Sequence, residues 1–305
     1  MDVIFLGTGA GAPTRKRNVS SIALRFDQSR EVWLFDCGEG TQHQFQRSPV
    51  SSSQVTHVFL THLHGDHVFG LPGFLSSRSL QGGTQSPLTI IGPLGVQELI
   101  HTTLKLSQTN LSFPLQFIEI VENGLVLNNT VAKVECATLV HPIKSFGYAI
   151  NLSDTSGRFM IEKAIAAGIP SGPIYGQLKQ GHDVQLHDGR NICGKDFIEP
   201  ATKGKKIAIL GDTSPCNAAI QLAKDADLLI HEATFASEES KLASISGHST
   251  NIDAAKTALE ANAKALILTH ISARYDDTKA STMLVEAQQI FTHTHMAADL
   301  LQYYV

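Results

Sequence analysis

The run Thr61-His62-Leu63-His64-Gly65-Asp66-His67 places three histidines and a carboxylate within six consecutive residues, directly after the stretch His57-Val58-Phe59-Leu60. Imidazole nitrogens and carboxylate oxygens suit Zn²⁺ or a similar first-row ion, and two ligand pairs separated by a tight turn at Gly65 can serve two neighbouring ions. Such a loop confines the fold. It has to follow a strand that ends where further ligands arrive from distant parts of the chain.

Hydrophobic patterning supplies those parts. Short β-rich runs recur at Val3 to Leu6, Ser21 to Phe26, Glu31 to Phe35, Thr56 to Leu60, Leu88 to Ile91, Leu115 to Val121, Val131 to Val140 and Phe146 to Leu152. Apolar residues at three- and four-residue spacing predict helices at Val68 to Leu80, Val96 to Leu106, Phe159 to Ala167, Ala218 to Asp225, Ile252 to Ala261 and Ala280 to Phe291. Lys206-Ile207-Ala208-Ile209-Leu210 and Ala265-Leu266-Ile267-Leu268 read as strands buried on both faces. The first runs into Asp212 and the second into His270, while Thr138-Leu139-Val140 runs into His141. Candidate ligands therefore stand where strands stop, the place at which an α/β sheet presents reactive groups.

Composition removes several classes. With 305 residues, 42% apolar and 17% charged, the chain is an ordinary soluble one with room for one large domain or two modest ones. No segment approaches the ~20 uninterrupted apolar residues of a membrane helix. Met1 to Leu6 has no basic region before its apolar run, so no secretory signal is read there and the expected location is the cytoplasm. Cys37, Cys136, Cys193 and Cys216 lie far apart without a C-x-x-C pair, which suggests buried free thiols rather than a thiolate zinc site. A net charge of −4 argues against a surface that attracts nucleic acid everywhere, and leaves room for a local basic patch. Gly7-Thr8-Gly9-Ala10-Gly11-Ala12 meets a loose G-x-G-x-x-A pattern, but the polar loop Pro13-Thr14-Arg15-Lys16-Arg17-Asn18 follows where a dinucleotide fingerprint needs an apolar-faced helix. No nucleotide cofactor is expected.

Residues 168–206 differ from their surroundings. Gly168-Ile169-Pro170-Ser171-Gly172-Pro173 opens a Gly- and Pro-dense stretch, with Lys195, Lys203, Lys205 and Lys206 after it. This reads as an insertion in a single domain spanning 1–305, a protruding flexible arm contained within 153–206.

The loop joins a wider set of motifs: Phe35-Asp36-Cys37-Gly38-Glu39-Gly40-Thr41-Gln42, His231-Glu232-Ala233-Thr234, Gly247-His248-Ser249-Thr250 and Thr269-His270-Ile271-Ser272-Ala273-Arg274-Tyr275. With them the chain resembles the metallo-β-lactamase-fold hydrolases over nearly its whole length, and within that superfamily it is similar to the ribonuclease Z family, the endonucleases that mature transfer RNA 3′ ends. The H-x-H-x-D-H loop marks only the superfamily. The Gly172-Pro173 arm and the segments around Glu232 and His248 carry the narrower resemblance.

The resemblance implies an α/β fold, an αββα four-layer sandwich with a protruding arm, holding two Zn²⁺ per subunit with Mn²⁺ or Co²⁺ as alternatives. It implies that His62, His64 and His141 hold one ion, that Asp66, His67 and His270 hold the other, and that Asp212 bridges them. Asp66 would be the general base, and His248, oriented by Glu232, would serve the leaving 3′ oxygen. The implied reaction cuts precursor tRNA after the discriminator nucleotide, leaving a 3′-hydroxyl tRNA and a 5′-phosphate trailer. Arg274 would lie near the scissile phosphate, Arg15 would contact RNA phosphates, and Gly172, Pro173 and Lys179 on the arm would grip the tRNA elbow. A homodimer is also implied, with the arm of one subunit serving the active site of the other.

Plainer roles stand beside these. His141, Asp212 and His270 could cap strand ends. His248 and Glu232 could form an ordinary helix N-terminus, because Ser249, Thr250 and Asn251 all suit capping. Arg274 could pair with Asp276 or Asp277, Arg15 to Arg17 could be a solvated basic turn, and the arm could be a disordered insertion. His43, His57, His101, His182, His187, His293 and His295 read as structural or exposed. The rival functions are a small-molecule phosphodiesterase, arylsulfatase or thioesterase of the same fold, which would not need the arm, and a noncatalytic RNA-binding scaffold, which would show a broken ligand set.

Overall fold

The computed structural model describes residues 1–27, 29, 31–81, 85–154 and 157–305. It divides into a larger unit of Met1–Asn129, Lys133–Ile150 and Lys206–Val305 and a smaller unit of Thr130–Ala132 and Asn151–Lys205. Residues 155 and 156 of the expected arm lie outside the described residues.

Two seven-stranded sheets organise the larger unit. The first runs in the order Gln302–Tyr304, Asp2–Gly7, Ser21–Arg25, Val32–Phe35, Val55–Phe59, Leu88–Pro93, Leu115–Ile120. Its pairs are antiparallel as far as Val32–Phe35 and parallel beyond it. The second runs Thr294–Met296, Leu266–Thr269, Leu228–Glu232, Lys206–Leu210, Phe146–Leu152, Ala132–Thr138, Gly124–Asn128. Register places Ile209 opposite Ile230 and Glu232 opposite Thr269 in a parallel ladder, so three strands end side by side just before Asp212, Ala233 and His270.

Alternating side chains bury both faces of the central strands, such as Asp2–Gly7, Val32–Phe35, Leu228–Glu232 and Leu266–Thr269. Between the sheets, Phe35 stacks on Phe59 at 4.7 Å, Tyr148 meets both rings edge-on, and the Tyr148 hydroxyl donates to Leu60 O. Outside the first sheet, helices Thr41–Arg47, Leu71–Leu80 and Val96–Leu106 set Phe45, Phe74, Leu75 and Ile100 on Leu34, Val58 and Ile90. Outside the second, Asn217–Ala223, Asn251–Glu260 and Asp277–Ile290 present Leu222, Ala254, Ala258, Met283 and Ala287 to Leu229 and Leu268. The layers are thus helix, sheet, sheet, helix. Each large side chain so buried stabilises the unit by about 1.5–3 kcal/mol.

The helix expected over Val68 to Leu80 is two, Gly65–Val68 and Leu71–Leu80. The break falls at Gly70, where an added Cβ would lie 1.9 Å from Gly38 O, and where Gly70 N donates to Cys37 O. This close crossing ties the candidate ligand loop to the segment after Val32–Phe35. The helix Thr41–Arg47 and the strands Gly124–Asn128 and Leu228–Glu232 were not in the patterned set. Gly9–Ala10 pairs with Ile271–Ser272, and no helix follows it before Ser21–Arg25, in keeping with the absence of a dinucleotide fingerprint. Of the four thiols, Cys37 and Cys136 are buried as expected, whereas Cys216 is half-buried and Cys193 exposed because it flanks a two-residue surface strand. Among the described residues no helix is long and apolar enough to cross a membrane.

The smaller unit is folded rather than structureless. Phe159, Ala164, Ile169, Leu178, Val184, Leu186 and Phe197 are buried against one another. Ala164, Leu178, Val184 and Phe197 come from the helices Ile161–Ala166 and Pro173–Lys179, a hairpin of Val184–Gln185 with Asn191–Ile192, and the 3-10 turn Gly194–Phe197, and Phe159, Ile169 and Leu186 flank these elements. Gly172, at φ 142°, adopts a backbone that L side chains avoid, and Pro173 takes the first helical position, where its missing N–H costs nothing.

Candidate metal centre

Every expected ligand lies just beyond the end of a strand. His62 and His64 follow Val55–Phe59, and the single turn Gly65–Val68 then carries Asp66 and His67. His141 follows Ala132–Thr138 and is held by a bridge between Val140 and Ser214. Asp212 follows Lys206–Leu210, and His270, in a left-handed conformation at φ 58°, follows Leu266–Thr269.

These side chains converge. Donor atoms of His62, His64 and His141 lie within 4.8 Å of one another, as do those of His62, His67 and Asp212, and those of Asp66, His67 and His270. Asp212 Oδ2 sits between the groups, 3.5 Å from His62 Nε2, 3.4 Å from His67 Nε2 and 3.5 Å from His270 Nε2.

The outward nitrogens fix the tautomers. Asp36 Oδ2 accepts from His67 Nδ1 at 2.7 Å and Gly247 O accepts from His141 Nδ1 at 2.8 Å. Thr61 Oγ1, whose own proton goes to Asp36, accepts from His62 Nδ1 at 3.0 Å. Thr234 Oγ1, donating to Glu232 Oε2, accepts from His270 Nδ1 at 2.7 Å. In these tautomers the inward Nε2 atoms of His62, His67, His141 and His270 are left with lone pairs. His67 Nε2 and His270 Nε2 then face each other at 3.2 Å, as do His141 Nε2 and His64 Nδ1, and the buried His62 Nε2 has no hydrogen-bond partner. Buried lone pairs aimed at one another call for a cation between them, and the imidazole and carboxylate donor set suits a first-row divalent ion.

Electrostatics make His62 and His141 neutral donors, whereas His67 beside Asp212 and Asp36 favours a proton that a cation at Nε2 would replace. Burial and the neighbouring His67 push His62 down to about 2, and burial lowers His141, so both are neutral donors. Burial opposes the protonation of His67, yet Asp212 and Asp36 raise it well above its ordinary value. Burial likewise opposes ionisation of Asp66 and Asp212. The hydrogen bond from His270 and the charge of His67 nonetheless hold Asp66 below the usual carboxylate range, and His270, His67 and His62 do the same for Asp212.

A second constellation adjoins the first. Glu232 is buried, and its Oε1 accepts from His248 Nδ1 at 2.9 Å and from Thr213 N at 2.9 Å, while Oε2 accepts from Thr234 N and Thr234 Oγ1. Burial works against the His248 imidazolium, but the Glu232 carboxylate raises it to about 9. The capping role is filled elsewhere. Thr250 accepts from Asp253 N, Asp253 answers the Thr250 backbone, and Ser249 Oγ donates to Thr213 O. His248 is free of that duty.

Asp36 and Thr234 belong to the site without having been assigned a role from sequence. Asp36 stands at the end of Val32–Phe35, so the rule that singled out Asp212 applies to it equally. Thr234 has no comparable signal, since its hydroxyl matters only because Glu232, His248 and His270 surround it. Gly11 N also reaches the site and donates to Asp66 Oδ2 at 2.7 Å.

None of the expected RNA contacts supplies a donor atom to these clusters. Arg274 pairs with Glu239 at 2.7 Å, not with Asp276 or Asp277, and its guanidinium lies over the Phe235 ring at 5.1 Å. Asp276 is engaged in capping Asp277–Ile290, and Asp277 pairs with Lys16. Arg15 is exposed and lines a cavity of about 430 Å³ with Lys16, Arg17, His43 and Arg47. Gly172, Pro173 and Lys179 belong to the smaller unit.

Residues 1–154 match the family model of anti-Pycsar protein Apyc1, and residues 193–271 match that of the beta-lactamase superfamily domain. Ribonuclease Z of Latilactobacillus sakei subsp. sakei (strain 23K) is 50% identical over 301 residues, covering 98% of this chain and 96% of that protein. The crystal structure of human tRNase Z, short form, is 32% identical and superposes with a TM-score of 0.72, covering 100% of this chain and 99% of that one. The metallo-β-lactamase fold protein YhfI from Bacillus subtilis, 18% identical, superposes at 0.69 over 99% of this chain and 98% of its own.

Proposed function

The chain belongs to the ribonuclease Z family, within the metallo-β-lactamase fold, and we infer from that membership and from the site that it is a divalent-metal-dependent endoribonuclease processing the 3′ end of precursor tRNA. The observation that carries this reading is the convergence of inward-facing ring nitrogens of His62, His64, His67, His141 and His270, placed beside the Glu232–His248 pair.

His62, His64 and His141 would hold one zinc ion and Asp66, His67 and His270 a second, with Asp212 between them. Two ions bound in this way would polarise the scissile phosphodiester and neutralise charge as it develops. The chain supplies the rest. Asp66 Oδ2 is fixed by Gly11 N and lies 3.3 Å from His270 Nε2, which leaves Oδ1 to take the proton of the attacking water. His248 Nδ1 is committed to Glu232, so its Nε2 delivers a proton to the leaving 3′ oxygen. The cut falls after the discriminator nucleotide and leaves a 3′-hydroxyl tRNA and a 5′-phosphate trailer.

Recognition of the tRNA elbow falls to the smaller unit through Gly172, Pro173 and Lys179. Its separate core supports this reading, because a folded unit can present a fixed surface to a folded RNA. Arg274, held on Phe235 by Glu239, and Arg15, exposed on the basic loop, would take phosphates nearer the cut. We place the enzyme in the cytoplasm as a homodimer in which the smaller unit of one subunit serves the site of the other; the four unpaired cysteines suit a reducing compartment. The small-molecule phosphodiesterase reading is not favoured, because likeness to ribonuclease Z extends over 98% of the chain, the smaller unit included.

The test is cleavage of a 3′-extended precursor tRNA by metal-reconstituted protein, mapped to the nucleotide beside an unstructured RNA of equal length. A cut after the discriminator in the folded precursor alone is expected. Turnover of bis(p-nitrophenyl) phosphate with neither RNA cut would return the assignment to a small-molecule phosphodiesterase.

A further inference from the structure

Phe69 is the one exposed phenylalanine among the described residues, 61% accessible although Val68 before it and Leu71 after it are fully buried. It follows immediately on the helical turn Gly65–Val68 that carries Asp66 and His67. The ring lies against the backbone of Gly65: a Cβ added there would stand 2.4 Å from Phe69 Cε2 and 2.5 Å from Cδ2. Phe69 N donates to Gly65 O at 2.9 Å, and the next residue is pinned by Gly70 N to Cys37 O. An aromatic ring therefore rests against the backbone between His64 and Asp66, beside the turn that carries two candidate ligands, and most of it is open to solvent. Leaving so much apolar area in water forgoes stabilisation that the other phenylalanines provide, and burial by a ligand would recover it.

We propose that Phe69 is a stacking platform for a nucleobase of the substrate, that of the first trailer nucleotide 3′ of the scissile bond. This rests on the ribonuclease reading above. The side follows from the chemistry. The leaving 3′ oxygen belongs to the nucleotide on the tRNA side, and His248 serves it. In an in-line displacement the 5′ oxygen of the trailer stays on phosphorus and is angled away from the leaving 3′ oxygen, toward the half of the site where Asp66 takes the proton of the water, and Phe69 caps the helical turn that carries Asp66. An aromatic face accepts any base, which fits trailers of varied sequence, and such a stack is sequence-tolerant where a hydrogen-bonding side chain would select. Phe69 acts here as a positioning residue, holding the unpaired trailer so that its 5′ phosphate rests at the ligand cluster.

The experiment combines protein variants with modified RNA. Wild-type protein, Phe69→Leu and Phe69→Tyr are assayed for KM and kcat on three precursors: intact, abasic at the first trailer nucleotide, and abasic at the discriminator. The leucine substitution is expected to raise KM roughly ten-fold on the intact precursor and to add nothing on the trailer-abasic one, which wild-type protein should already bind roughly ten-fold more weakly; tyrosine should restore both. An equal loss on all three RNAs would overturn the proposal, since the ring would then support the loop or a subunit contact. Coupling to the discriminator alone would overturn the trailer assignment, and unchanged KM in Phe69→Leu would remove Phe69 from recognition. Failure of wild-type protein to cut the intact precursor would instead overturn the ribonuclease reading itself.

Discussion

Asp36 Oδ2 lies 2.7 Å from His67 Nδ1, and the same carboxylate takes hydrogen bonds from Thr61 N and Thr61 Oγ1, so one buried acid fixes both the entry to the ligand loop and the tautomer of a ligand within it. Asp36 itself sits at φ 56°, a conformation uncommon for a residue with a side chain, at the point where Val32–Phe35 ends. The arrangement is a carboxylate–histidine pair of the kind that raises ligand basicity.

Asp36→Asn tests that pair. An amide can turn its NH₂ toward Nδ1, which leaves His67 with its proton on the nitrogen that should bind metal. Metal affinity is expected to fall by about 10- to 100-fold, read by competition with a chromophoric chelator, with cleavage recovering at saturating metal. Unchanged affinity in Asp36→Asn would show that the loop holds its own geometry without the acid.

The Glu232–His248 pair predicts non-additivity. Glu232 contacts His248 directly and reaches His270 only through the Thr234 hydroxyl, its remaining bonds being to Thr213 N and Thr234 N, so the His248 link dominates. His248→Ala is expected to lower kcat by about 10²- to 10⁴-fold with RNA binding little changed, and Glu232→Gln, which keeps an acceptor but loses the charge, should cost less. The double variant should be no worse than His248→Ala alone. Additive losses would give Glu232 a second role. Asp66→Ala is expected to abolish cleavage while RNA binding persists, and wild-type turnover by that protein would defeat its assignment as base.

How much of this could be read from the chain depends on how far apart the interacting residues are. His62, His64, Asp66 and His67 are legible because their spacing is itself the ligand geometry. His141, Asp212 and His270 stand out because a polar residue at the end of an apolar run is placed by the sheet, but that pattern suits a strand-end cap equally, and the family resemblance is what makes them ligand candidates. Thr234 and the Glu239 partner of Arg274 are not, because their roles come from neighbours brought near by packing: Glu239 is 35 positions from Arg274. The helix Thr41–Arg47 escapes periodicity because Phe45 is its single apolar anchor. In the smaller unit, composition misleads. Gly172 and Pro173 read as loop, yet a glycine at positive φ followed by proline is how a short helix can begin.

Gly211 predicts where the larger unit tolerates no added atom. A Cβ there would lie 2.6 Å from Thr61 Cβ and 2.7 Å from Phe146 O, with Phe146 N already donating to Thr61 O. Gly211→Ala is expected to cost about 1–3 kcal/mol in urea denaturation, and to weaken metal binding as well, because Thr61 and Asp212 flank the crowded point. Gly176, within Pro173–Lys179, has nothing within 4 Å of such a Cβ, so Gly176→Ala should be neutral or stabilise by about 0.5–1 kcal/mol. Equal costs at the two sites would remove the packing explanation.

The smaller unit predicts a separation of two activities. Its core is its own, and its two ends are joined by Leu152 N donating to Lys205 O at 2.9 Å and by Gly204 N donating to Asp154 Oδ1. A short glycine-containing turn can therefore replace residues 154–203 without stretching the strand ends. Deleting only 168–195 would be a poorer test, because it removes Ile169, Leu178, Val184 and Leu186 and leaves Phe159 and Phe197 exposed. The full replacement is expected to leave turnover of bis(p-nitrophenyl) phosphate within a few-fold, since every candidate ligand lies in the larger unit. Precursor tRNA cleavage should fall by about two orders of magnitude or more, as contacts to the RNA backbone are lost. Parallel loss of both activities, with an unchanged melting temperature, would place the smaller unit in the chemistry rather than in recognition.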